Sequence, residues 1–144
     1  MPHSQGPFIV QIPTGGNGFE EGFVIGEVAA GGTLVNGTGF VSRELPVHDV
    51  DTIVVQVRAA GALEGMEGLL TCKFVGTVDG NTWGTVPYAE ISVNMDGVNA
   101  VVVTQGLDVS GLRAIRLQSI VNEDATEGHV VEGVEVKWGK SYAY

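Results

Sequence analysis

The chain has 144 residues, 44% of them hydrophobic and 17% charged, so it is long enough to bury one core and too apolar for a disordered acidic tail. Its net charge is −10 with only seven Lys and Arg, spread from Arg43 to Lys140. That excludes the clustered cations that DNA or RNA binding needs, and an anionic membrane surface would repel it.

Residues 1 to 21 differ in composition from the remainder. Two prolines flank an apolar segment, Phe8 to Ile12, and Gly15, Gly16 and Gly18 follow. This fits an extended arm on a flexible hinge, with Phe8, Ile9, Val10 and Ile12 as its adhesive residues. An edge strand of the same domain is the alternative. The start, MPHSQGPF, lacks the basic region and long apolar stretch of a secretion signal, so synthesis in a cytosol is expected.

From residue 22 to residue 144 the period is two, the mark of a sheet with one buried face. Phe23 and Ile25 share a face. Leu34 to Val41 gives a second strand, interrupted by Asn36-Gly37. Ile53, Val55 and Val57 alternate with Gln56 and Arg58. Leu70, Cys72 and Phe74 point inward against Thr71 and Lys73. Ala89, Ile91, Val93 and Met95 alternate with Tyr88, Glu90, Ser92 and Asn94. The run VNAVVVT follows. Ile115, Leu117 and Val121 oppose Arg116 and Gln118, and Val134, Val136 and Trp138 oppose Glu135 and Lys137. Asp96-Gly97 reads as a tight hairpin, and Asp79-Gly80-Asn81 as a turn before Trp83. About eight strands at this spacing predict an all-β domain of antiparallel sheets, a sandwich or a barrel. Residues 59 to 68 are the best helical stretch, but their three glycines reduce them to a loop with a turn or two. Leu63 and Met66 in it have no strand to bury them, which makes them contact candidates.

No catalytic constellation is visible. His3, His48 and His129 stand at no metal-ligand spacing from one another or from the lone Cys72. His48 with Asp49 and Asp51 reads as a solvated loop, the alternative being a metal or acid–base cluster. Cys72 lies between apolar neighbours and reads as core. No serine has a nucleophile-elbow signature and no glycine cluster forms a phosphate loop. The expectation is a non-enzymatic chain without cofactor or metal. Trp83 and Tyr88 could hold a sugar ring, as in carbohydrate-binding sandwich modules, whereas the structural reading has Trp83 cap one end of the core.

Two segments are similar to a known family. The turn D-G-x-x-W at Asp79, Gly80 and Trp83 is followed by a strand pattern at Asp108, Ser110, Gly111, Leu112, Ile115 and Arg116 and by a last strand over 129–138. Together they resemble the β-sandwich structural proteins of tailed bacteriophages, capsid decoration (cement) proteins above all. The resemblance covers about the C-terminal half. It implies a jelly-roll-like sandwich that forms a homotrimer on the capsid surface, binds the major capsid protein and stabilises the shell without catalysis. On this reading the arm residues, Leu63, Met66 and the terminal Tyr142 and Tyr144 make the contacts. A tail or fibre subunit and a carbohydrate-binding module are the rival readings.

Overall fold

The structure, a computed structural model, describes residues 10–12, 20–61, 68–95 and 99–141. Among these residues ten strands run in chain order: β1 (Val10–Ile12), β2 (Glu20–Ile25), β3 (Thr33–Val35), β4 (Glu44–Pro46), β5 (Thr52–Gly61), β6 (Gly68–Thr77), β7 (Ala89–Met95), β8 (Val101–Asp108), β9 (Ala114–Asn122) and β10 (Val131–Ser141). No helix occurs among the described residues.

The strands form two sheets, β1-β2-β10-β5-β8 and β3-β9-β6-β7, with β4 also on β9. Every strand pairing is antiparallel. Taking β3 and β4 as one interrupted strand, the chain places β2, β5, β8 and β10 in the first sheet and β3/β4, β6, β7 and β9 in the second. The orders β2-β10-β5-β8 and β3/β4-β9-β6-β7 are those of a jelly roll, two interlocked Greek keys. β1 is an extra edge strand on β2, with Val10 opposite Val24.

The alternation read from the sequence maps onto the two inner faces, except late in β9, where a register shift against β6 buries Ile120 in place of the expected Val121. Ile53, Val55 and Val57 of β5 and Val134, Val136 and Trp138 of β10 meet Leu70, Cys72 and Phe74 of β6, Ile91 and Val93 of β7, and Ile115, Leu117 and Ile120 of β9. All are buried. Trp138 and Phe74 join the layers, with ring centroids 6.2 Å apart. Burial pushes the Cys72 thiol up to about 12, so it is an inert core group.

Three expectations change. Residues 34 to 41 are not one strand. Gly37 at φ +99° turns the chain after β3, and the loop is tied back by Asn36 N–H donating to the Gln118 carbonyl (2.8 Å) and Ser42 N–H to Asn36 Oδ1 (2.9 Å). Asp96-Gly97 lies outside the described residues, and the strands on either side of it do not pair with one another, since β7 pairs with β6 and β8 with β5 in different sheets. Residues 59–61 are not loop. They complete β5, where Ala59 is buried.

A candidate docking corner beside β6

The two segments that carry the family resemblance meet at one corner of the sandwich, beyond the end of β6. The first turn is built by Asp79. Its Oδ1 accepts from Thr82 N–H (2.7 Å), Asn81 N–H (2.8 Å) and Thr77 Oγ1 (3.1 Å), while Gly80 N–H donates to Thr77 Oγ1 (3.0 Å). The backbone donors of Thr82 and Asn81 hold its carboxyl down to about 2. Gly80 sits at φ +84°, a conformation this tight turn needs and other residues rarely adopt. The chain then runs back along β6, with Trp83 bridged to Thr77, Gly84 N–H on the Gly76 carbonyl (3.0 Å) and Tyr88 N–H on the Phe74 carbonyl (2.7 Å).

The second turn joins β8 to β9. Ser110 N–H donates to Asp108 Oδ1 (2.9 Å), and Gly111 takes φ +83°. This sets Arg113, whose N–H donates to the Thr77 carbonyl (2.7 Å) and whose carbonyl accepts from Val47 N–H (2.8 Å). The turns lock together through side chains. The Arg116 guanidinium lies 4.1 Å from the Trp83 ring centroid, Gln118 Nε2 donates to the Thr85 carbonyl (3.0 Å), and the Tyr88 hydroxyl donates to the Asp108 carbonyl. Gly76 gives Leu112 its place, since a Cβ there would lie 2.8 Å from Leu112 Cδ1.

What this scaffold displays is apolar. Val78 is 72% exposed, Val86 77% and Tyr88 46%. Trp83 is not the cap of a core end: it belongs to no core cluster and packs on Arg116, which β9 turns outward between the buried Ile115 and Leu117. As a sugar platform it has one ring face already taken. Tyr88, by contrast, is half-exposed and fixed through its hydroxyl. The outer faces of Val78 and Val86 were missed by reading alternation, because neither lies in a strand. Their signal was apolar residues set among Asp, Gly, Asn and Pro of a turn-rich stretch.

The other expected contact residues are not gathered here. Val10 and Ile12 lie in β1, an edge strand of the chain's own first sheet. Phe8, Ile9, Leu63, Met66, Tyr142 and Tyr144 lie outside the described residues. His48, Asp49 and Asp51 are exposed, and Asp49 pairs with Lys140 at 3.0 Å. At the opposite end of the sandwich, the buried Asp124 bonds His129 Nδ1 at 2.8 Å and Thr126 N–H at 3.0 Å, and the bond from His129 holds its carboxyl below the usual range. Among the described residues no three His, Cys, Asp or Glu side chains group as metal ligands.

No family model and no curated protein sequence matches the chain. Several solved structures are similar in fold. One titled "CBM4 structure and function" has 11% identity and TM-score 0.48, covering 92% of this chain and 78% of that one. The carbohydrate-binding module CBM6cm-2 from Cellvibrio mixtus lichenase 5A, solved with cellotriose, has 17% identity and TM-score 0.44, covering 97% and 92%. A structure of PirA has 13% identity and TM-score 0.42, covering 83% and 93%. All three likenesses are of β-sandwich architecture.

Proposed function

We propose that the chain is a non-catalytic structural module of a bacteriophage particle, docking on the outer surface of the protein shell through the corner beside β6. The observation that carries this reading is the exposed trio Val78, Val86 and Tyr88 on a segment whose backbone is bonded at both ends. Such a surface binds without first having to be ordered, which preserves affinity. Tyr, Trp and Arg, which build the corner, are the residue types that dominate protein-interface energetics. The segments that assemble it are those that resemble decoration proteins. Jelly rolls serve both viral capsids and lectins, so the corner rather than the fold supports the choice.

A glycan-binding module is the second reading, favoured by the half-exposed and fixed ring of Tyr88. The readings separate on reconstitution. Shells purified from particles lacking the chain should co-sediment with the added wild-type protein, and V78D and V86D should abolish this while circular dichroism stays unchanged. Failure of the wild type to co-sediment, with saturable binding on a glycan array that Y88A removes, would establish the second reading instead.

A further inference from the structure

Sheet edges are where a jelly roll can add strands, and those described here are unequal. β1, β3 and β4 are three residues long, and Pro46 lies in β4. β7 is longer but carries Glu90. β8 runs eight residues in unbroken register with β5 and holds no proline and no charge before Asp108. Proteins normally blunt so long an edge with Lys, Pro or a bulge.

The backbone shows which groups of β8 are free. Val109 N–H donates to the Asp51 carbonyl (2.8 Å), continuing the register that sets Asp108 opposite Thr52. Bonding groups alternate along an antiparallel strand. The odd-numbered residues of β8 therefore face β5, and Val102, Thr104, Gly106 and Asp108 aim their N–H and C=O groups outward. The Tyr88 hydroxyl bonds the Asp108 carbonyl on that outward side, which closes one end. What remains open among the described residues is the run 102–106, centred on Thr104.

We infer that this edge pairs with the same edge of a second copy, antiparallel about a two-fold axis at Thr104. Thr104 then faces Thr104 of the second copy, and Val102 faces its Gly106. The three pairs exchange about six backbone hydrogen bonds. The edge is self-complementary in shape. Val102 is 49% exposed, and at Gly106 an added Cβ would meet nothing nearer than 3.9 Å, so the valine of one copy occupies the gap of the other. It is also suited in charge. With a net charge of −10, most approaches of two copies set carboxylate against carboxylate, whereas residues 101–107 carry no charged side chain. A two-fold edge contact closes at two copies, in place of the three-fold association that the sequence resemblance implied. The pairing rests on the β8 edge alone and stands apart from shell docking.

Light scattering of the full chain tests it, with twice 15.0 kDa as the expected mass. T104D sets two carboxylates face to face on the axis, at an exposed position, and should give a monomer with an unchanged circular dichroism spectrum and a melting temperature that no longer rises with protein concentration. T104C should cross-link under oxidation, since the ~5.5 Å Cα separation of a bonded pair suits a disulfide. The buried Cys72 does not compete. A wild-type monomer or trimer overturns the inference, as does a dimer that T104C fails to cross-link. A folded T104D protein that remains dimeric overturns it too; should T104D not fold, the T104C result decides.

Discussion

Asp79 does more for the corner than any other single side chain. One carboxylate oxygen collects three hydrogen bonds and so converts Thr77–Thr82 into a fixed turn that delivers Trp83 to Arg116. Its folded-state carboxyl titrates near 2, below the ordinary ~3.9 of an unfolded chain. The stabilisation is thus complete above the unfolded value and is lost as pH falls through about 2. Tryptophan emission in the wild type should therefore shift between pH 4 and about 2, a step that D79N should lack. An identical acid profile in both proteins would remove Asp79 from this role. Gly68 poses a different constraint at the other end. It has φ +143°, and a Cβ there would lie 2.9 Å from Asp124 Cβ. G68A should cost about 1–3 kcal/mol of stability in urea unfolding, through backbone strain and displacement of the Asp124–His129 pair. A change within experimental error would show that the loop yields freely.

At the scale of elements, legibility followed the physics of burial. β5, β7 and β10 each bury one face, so their inward residues alternate in the sequence as they do in space, whereas β6, between β9 and β7, also buries Thr71 and Val75. The interruption at Asn36-Gly37 was legible, but its continuation as β4 at Glu44–Pro46 was not, because that path depends on bonds from Asn36 and Ser42 to one another and to β9, remote in sequence. The Asp96-Gly97 hairpin was a local inference overruled by topology: adjacent strands in the chain belong to different sheets. The corner was legible only in part. Its turns are written in Asp79-Gly80 and Asp108-x-Ser110-Gly111, but the stacking of Arg116 on Trp83 arises only once β9 lies against β6. The joint between the sheets gives a prediction at this scale. F74A removes the ring that packs on Trp138 and should lower stability by about 3–5 kcal/mol in denaturant titration. A loss under about 1 kcal/mol would mean that the layers are held elsewhere.

The whole molecule combines a jelly roll, an acidic composition and two distinct surface features, the corner that displays Val78, Val86 and Tyr88 among charged neighbours and the uncharged edge of β8. Acidity disfavours most approaches of two copies and leaves their contact to the uncharged β8 edge. The corner is proposed to rest on the protein shell. Electron cryomicroscopy of particles purified from the native source tests it most directly. Density for the jelly roll on the outside of the shell, with Val78, Val86 and Tyr88 against a shell subunit, is the predicted result. Density on the tail, or on the shell with this corner facing solvent, would contradict it.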